Sequence, residues 1–184
     1  MKKHFKILTL LFSITFILSC KKNEVVSTVS IEELNSESAE GITAKVNASY
    51  FSSTANRSDS ITNQPSPFYA TYGSDSTSLI ILADGRVNDQ DSVKWAQILL
   101  WVTRFNGEDT YLIEDGSSLA VFSVVDSSNN LRQFVSSNTP NASVIINHFD
   151  TANNTISGTF EFTALSNDSV VVIKNGVFNS VKIN

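Results

Sequence analysis

Apolar and polar residues alternate along most of the chain after residue 42, which predicts β-strands rather than helices. The clearest stretch is Ile156–Ala164, ISGTFEFTA, in which every second residue is apolar or glycine and the residues between them are polar. Successive side chains of a strand point to opposite faces, so we expect one face of this strand in the core and the other in solvent. Similar segments rich in Val, Ile, Phe and Thr predict an all-β domain.

Several polar connections between these segments predict hairpins. Val170–Lys174 and Val177–Ile183 flank Asn175–Gly176, a dipeptide typical of a tight type I′ turn. Two further polar connections, at 127–130 and 150–154, separate other pairs of apolar segments. A succession of hairpins favours a single antiparallel β-sandwich or a barrel-like domain.

One segment, Val93–Phe105, also fits a helix. Trp95, Ile98, Leu99 and Val102 follow helical spacing. Apolar residues on both faces suit a buried central strand, and nothing caps a helix convincingly, so we predict a strand.

The amino terminus has the pattern of an export signal. Three lysines lie within the first six residues, Ile7–Leu18 is uncharged and apolar, and Ser19 precedes Cys20. The apolar run is shorter than the roughly 20 residues that a membrane-spanning helix needs. We therefore predict that residues 1–19 are a signal peptide.

The segment Ile17–Cys20 resembles the lipobox of bacterial lipoproteins, which implies that acyl chains such as palmitate are attached to Cys20. This cysteine is the only one in the chain, so it cannot form an internal disulfide. Several acyl chains would anchor the protein durably in a lipid bilayer. The residue after the cysteine is Lys21, whereas an aspartate at this position often retains lipoproteins at the inner membrane. The sequence therefore favours the outer membrane and leaves open whether the protein lies on its periplasmic or its outer face.

Two parts follow the signal. Residues 20–41 contain no aromatic side chain and several glutamates among Ser and Asn, which predicts a lipidated flexible tether; a short helix at Ser30–Leu34 is the alternative, since Ser30 and Glu33 resemble a capping box. Residues 42–184 are long enough for one β-sandwich or barrel domain with its own core.

A family resemblance covers most of this domain. ISGTFEFTAL from Ile156 and VVVIKNGVFNSVKI up to Ile183 resemble the end of a family of uncharacterised Bacteroidota lipoproteins, and ITAKVN from Ile42 and TYLI from Thr110 resemble its earlier strands. Ala48 stands where that family often has glycine. The resemblance implies a β-rich exported domain and no particular activity.

The net charge excludes one class of partner. Removal of the signal leaves 10 Lys and Arg against 18 Asp and Glu, a net charge of −8. Nucleic-acid binding requires a basic patch, which this composition does not supply.

Candidate catalytic residues are few. His148 is the only histidine after the signal, and no Gly-x-Ser-x-Gly motif accompanies it. Glu114, Asp115 and Glu161 could serve a carboxylate-based hydrolase, but catalytic acids need burial and Glu161 lies on the polar face of its strand. We expect a non-enzymatic module, with a carbohydrate-active or other hydrolase as the alternative.

One acidic segment is a candidate calcium site. Asp84, Asn88, Asp89 and Asp91 lie close together in the sequence and offer oxygen ligands, although their spacing differs from that of an EF-hand. An ordinary polar turn is the alternative. Zinc is not expected, because the chain lacks a set of His and Cys ligands.

A tripeptide of Asp, then Ser or Thr, then a methyl-bearing residue recurs and resembles the O-glycosylation sequon of Bacteroidota. Its hydroxyl residues are Ser60, Ser76, Ser92, Thr151 and Ser169. The alternative is that Asp-Ser initiates turns that lead into strands.

Aromatic residues flank the polar segment 52–66 and are candidates for stacking on a sugar or for packing in the core. They are Tyr50, Phe51, Phe68, Tyr69 and Tyr72. Together these features predict a membrane-anchored binding or structural module of the cell envelope, with a glycan or an envelope protein as partner.

Overall fold

The computed structural model describes residues 40–54, 68–75, 77–88, 92–113, 118–136 and 142–184, which all belong to one compact unit, Ser36–Asn184. The described residues are all-β, as predicted, and include no helix that is long and apolar enough to cross a membrane. Their strands are Gly41–Val46 (β1), Ser49–Thr54 (β2), Phe68–Tyr72 (β3), Leu79–Val87 (β4), Val93–Val102 (β5), Asp109–Leu112 (β6), Leu119–Asp126 (β7), Leu131–Val135 (β8), Ser143–Asp150 (β9), Thr155–Ser166 (β10) and Ser169–Lys182 (β11).

Eight of these strands close into an antiparallel barrel, in the order β11-β1-β2-β4-β5-β7-β8-β10 and back to β11. Closure satisfies the backbone hydrogen bonds of strands that would otherwise be edges. The sequence did not distinguish a β-sandwich from a barrel. The pairing of β10 with β11 closes the ring and shows that the domain is a barrel. The hairpins predicted around 127–130 and 150–154 are present as β7–β8 and β9–β10.

The remaining strands attach where the sheet forks. β4 pairs with β3 along Leu79–Ala83 and with β2 only near Val87. β10 likewise pairs with β9 along Thr155–Glu161 and with β8 only at Leu165. β6 extends the second branch by pairing with β9. The forks therefore divide the barrel into an end where the eight-stranded ring is closed and an end that carries β3, β6 and β9.

The barrel interior is a packed apolar core. In β10 the predicted inner residues from Ile156 to Ala164 are buried, whereas Glu161 is exposed, which confirms the alternation. Each fully buried large side chain contributes about 1.5–3 kcal/mol relative to an exposed one. The buried phenylalanines are Phe51, Phe68, Phe122, Phe134, Phe160, Phe162 and Phe178.

The outer surface of the barrel carries a continuous row of apolar residues, one from each of seven adjacent strands. Each residue of the row is the direct cross-strand partner of the next one. In the order β3, β4, β5, β7, β8, β10 and β11, the residues are Tyr69, Leu82, Leu99, Val121, Val135, Leu165 and Val170. The prediction of a strand at Val93–Phe105 is confirmed as β5, and this row explains its apolar outer face.

The hairpin predicted at Asn175–Gly176 is wrong, because β11 continues through these residues as one strand of 14 residues. Asn175 has φ 50° and forms a bulge, at which Phe160 pairs with Gly176 and Phe162 with Ile173. A Cβ on Gly176 would lie 2.5 Å from the Phe160 ring. This bulge has a positive φ at Asn175, as a type I′ turn would, so local sequence does not separate the two.

Candidate functional site

A pocket lies at the closed end of the barrel, where β1, β4, β7 and β10 end and β2, β5, β8 and β11 begin. We call it the mouth pocket. Its volume is about 450 Å³, within the range typical of small-molecule sites. The apolar lining residues are Val46, Val93, Phe122, Val124, Phe134, Val170 and Val171, and the polar ones are Asn47, Ser92, Asp126, Arg132 and Ser169.

The floor of the mouth pocket is aromatic. Phe122 on β7 and Phe134 on β8 pair directly across the two strands, with ring centroids 6.2 Å apart. Both side chains are at most 4% exposed. Tilted aromatic pairs of this kind are rigid and apolar, so the floor suits an apolar or aromatic ligand.

A single arginine stands over this floor. Arg132 precedes Phe134 by two residues, and its guanidinium carbon lies 5.3 Å from the centroid of the Phe134 ring. Its Nη2 donates a hydrogen bond to Ser169 Oγ at 3.2 Å. The cation is thus held at the rim by contacts from β8 and β11.

The acidic residue of the lining, Asp126, is used by its own turn. Its Oδ1 accepts hydrogen bonds from the backbone N–H groups of Ser128 and Asn130, both at 2.9 Å, and Oδ2 accepts one from Asn130 Nδ2. The bonds from Asn130 are the main cause that lowers the pKa of Asp126 below its ordinary value of 3.8, and Arg132 contributes less. The turn is therefore stabilised by the carboxylate above pH 3.8 and loses this contribution as the pH falls through the lowered pKa.

Asn47 joins the first hairpin to the last strand. It has φ 54°, its N–H donates to Val172 O at 2.8 Å, and its Oδ1 accepts from Val172 N–H at 2.9 Å. Asn tolerates this left-handed conformation better than most residues. The reciprocal pair closes the rim between β1 and β11, although Ala48 replaces the expected glycine.

Of the proposed calcium ligands, Asp84 lies inside β4 rather than in a loop and accepts a hydrogen bond from Gln97 Nε2 at 2.8 Å. A strand rises about 3.3 Å per residue, which places Asp84 about 13 Å from Asn88. Asp89 and Asp91 lie outside the described residues. Within the described part of the chain, no group of three or more His, Cys, Asp or Glu side chains has the geometry of a metal site.

Of the three candidate carboxylates of a hydrolase, only Glu161 lies in the described part of the chain. Glu161 is exposed on the outer face of β10, beside Lys174, in a pocket of about 380 Å³ at the fork between β8 and β9. Glu114 and Asp115 lie outside the described residues. His148 is exposed as well, with Nδ1 at 3.6 Å from Glu108 Oε1.

Two of the recurring tripeptides begin with an aspartate whose carboxylate accepts hydrogen bonds within a turn. Asp150 Oδ1 accepts hydrogen bonds from the N–H groups of Ala152 and Asn153, and Asp75 does the same for Thr77 and Ser78. Thr151 and Ser92 are exposed, whereas Ser169 is half-buried and bonded to Arg132. Ser60, Ser76 and Cys20 lie outside the described residues. O-glycosylation stays a prediction.

The candidate aromatic residues divide between core and surface. Phe51 and Phe68 are buried, Tyr50 and Tyr69 are half-buried, and Tyr72 is exposed. They do not form one platform, because Tyr50 lies beside the mouth pocket end and Tyr72 at the opposite end.

Tyr72 belongs instead to an aromatic cluster centred on Phe105, which also contacts Tyr111 and Phe149 with ring centroids 6.0 and 5.4 Å away. Tyr111 Oη lies 2.8 Å from Gly107 O and 3.1 Å from Asn106 N. Burial raises the pKa of Tyr111 above 10. This cluster is a structural anchor of the 103–108 loop.

The sequence interpretation missed Arg132. The signal that could have found it is the alternation in Leu131–Val135, which places Arg132 on the same face as the buried Phe134. A charged residue at an inward position near a strand end is typical of a barrel rim, but this is recognisable only once a barrel is assumed.

Comparison with known families gives one match. A family model described as a domain of unknown function, DUF6252, matches residues 69–182. The chain belongs to the DUF6252 family. Neither curated proteins nor solved structures give a match. The DUF6252 match runs from β3 to the end of β11, so β1 and β2 lie before it. These two strands complete the ring, and β1 and the turn after it supply Val46 and Asn47 to the mouth pocket.

Proposed function

We propose that this chain is a lipid-anchored binding module of the bacterial cell envelope, in which the mouth pocket holds a small molecule with an apolar body and a polar end. The observation that carries the proposal is the pocket itself, with its aromatic floor and its polar rim at a barrel opening. The openings of barrels are common ligand sites.

The lining favours binding over catalysis. Among its described residues the only carboxylate is Asp126, whose oxygens accept hydrogen bonds within the turn. A general acid or base needs access to the proton that it transfers and a pKa near the working pH, whereas the pKa of Asp126 is lowered.

β1 enters the barrel at the end away from the mouth pocket. β1 begins at Gly41, beside Asn179 of β11, whereas the mouth pocket lies where β1 ends, at Val46. Gly41 therefore lies at the end of the barrel opposite the mouth pocket. The lipobox-like segment Ile17–Cys20 and the following Lys21 support attachment to the outer membrane, as in the Bacteroidota lipoproteins that the sequence resembles.

The anchor is tested by replacing the cysteine. We expect the full chain, expressed in a bacterium that processes lipoproteins, to incorporate an alkyne-labelled palmitate and to fractionate with membranes, and Cys20→Ser to abolish the label completely. Ser19→Ala keeps a small residue before the cysteine, so it should keep the label. Absence of label on the wild-type chain would refute the anchor.

The pocket is tested by filling it. We expect the neutral fluorescent probe N-phenyl-1-naphthylamine to bind the chain that begins at Lys21, which retains every described strand. Val124→Trp should weaken this binding at least about tenfold, because Val124 lines the mouth pocket. Val121→Trp is the matched control on the outer face of the same strand, where binding should change by less than about twofold. Equal effects of the two variants would contradict the pocket.

A further inference from the structure

Arg132 is the one cationic side chain among the described residues that line the mouth pocket. It lies on the inward-facing side of β8, two residues before Phe134, at the end of the barrel where the core gives way to solvent. Its side chain is exposed, whereas that of Phe134 is 4% exposed. The guanidinium therefore lies at the boundary between the aromatic floor and water.

Most hydrogen-bond donors of this guanidinium have no partner among the described residues. Among the described residues Arg132 contacts Phe134 through its ring and Ser169 through one hydrogen bond, and it forms no ion pair. A guanidinium has five N–H donors in a planar fork. The described residues therefore leave the remaining donors for a ligand in the mouth pocket.

The two contacts also limit how far the guanidinium can move. The guanidinium carbon lies 5.3 Å from the Phe134 ring centroid and Nη2 is bonded to Ser169 Oγ, so both contacts restrict the side chain. A fork held in this way loses less conformational entropy when it binds a carboxylate, sulfonate or phosphate through two hydrogen bonds.

Asp126 does not form an ion pair with Arg132 in place of a ligand. Its carboxylate oxygens accept three hydrogen bonds from Ser128 and Asn130, and no ion pair joins it to Arg132. The weak influence of Arg132 on Asp126 is consistent with two charges that are near each other but not paired.

We infer that the mouth pocket selects anionic amphiphiles, molecules with an aryl or short apolar body on the Phe122–Phe134 floor and a carboxylate, sulfonate or phosphate bound by Arg132. This inference rests on the proposed function of the pocket and adds the chemical class of its ligand. An anionic head also explains why a cation stands at this rim in a chain whose predicted mature charge is −8.

The experiment compares two probes that share one ring system, neutral N-phenyl-1-naphthylamine and anionic 8-anilinonaphthalene-1-sulfonate, on the chain that begins at Lys21. We expect the sulfonate to bind the wild type more tightly. Arg132→Gln should weaken the sulfonate roughly tenfold or more and leave the neutral probe within about twofold, since the lost bonds are charge-assisted. Arg132→Lys should lie between, because it keeps the charge without the fork.

Lys182→Gln is the matched control, since it removes one positive charge from an exposed site at the opposite end of the barrel and should change neither probe. Near-ultraviolet circular dichroism checks that each variant is folded. If both probes bind but Arg132→Gln changes neither, or weakens both equally, the selection of anions is refuted while the pocket remains. If neither probe binds the wild type, the proposed function itself fails.

Discussion

Phe178→Ala is expected to lower the free energy of unfolding by about 3–5 kcal/mol, the range for truncation of a buried phenylalanine. The Phe178 side chain is 0% exposed, and its ring stacks on Phe160 at 6.4 Å. On the backbone Phe178 pairs with Ile42 of β1 and with Gly158 of β10. The closed ring prevents these strands from collapsing into the vacated space, so the cavity should persist.

Urea unfolding followed by tryptophan fluorescence measures this change. Trp95 and Trp101 both lie on β5, within the same barrel, and report the loss of its structure. Val170→Ala is the matched control on the same strand, because the Val170 side chain is 55% exposed and its truncation should cost less than about 0.5 kcal/mol. A loss below about 1 kcal/mol for Phe178→Ala would mean that the core is packed differently.

Gly158→Val is expected to cost about 3 kcal/mol, at the upper end of the range for overpacking. A Cβ at Gly158 would overlap the carbonyl oxygen of Ile145 on β9 and would lie 2.5 Å from Cζ of Phe178. The carbonyl belongs to the backbone of a paired strand and cannot rotate away. On β-propensity alone, valine in place of a strand glycine would stabilise the protein. The sign of the change in unfolding free energy therefore shows whether steric overlap or β-propensity dominates.

A second substitution separates the two overlaps. Gly158→Ala combined with Phe178→Leu removes the ring but keeps the Ile145 carbonyl, so the pair should be less destabilising than the sum of the single changes, yet still less stable than the wild type. Thr159→Val, the next residue on the half-exposed outer face, should change stability by less than about 0.5 kcal/mol. Additive losses for the pair would contradict the close approach of β10, β9 and Phe178.

The alternation of apolar and polar residues was sufficient to predict individual strands where one face is buried. β10 is the best case, since its inner residues and the exposed Glu161 follow the predicted faces. β5 was harder because its outer face is also apolar, through Leu99 and Trp101, and there the absence of helix caps was the useful signal. Burial on a pleated strand is a local property, so a local pattern reveals it.

The same local signals failed where two structures need the same backbone. Asn175 has the positive φ that a hairpin turn requires, but it uses it for a bulge inside β11. Asp84 was assigned to a loop with Asn88, whereas the pairing of Asp84 with Gln97 keeps it in β4. In both cases a partner strand distant in sequence decides which conformation the residue adopts.

The sequence by itself determined that the domain is all-β, which faces of its clearest strands are apolar, and that Cys20 follows a segment of the lipobox type. Only the tertiary structure decided that the sheet closes as a barrel, that it forks at β4 and β10, and that Arg132 stands over Phe134 beside Ser169. The reason is physical, because side-chain alternation is a property of one strand. Closure of the barrel and the mouth pocket depend instead on the registers between strands, such as Leu165 with Val135 and Phe51 with Val87. The pattern of either strand alone does not specify these registers.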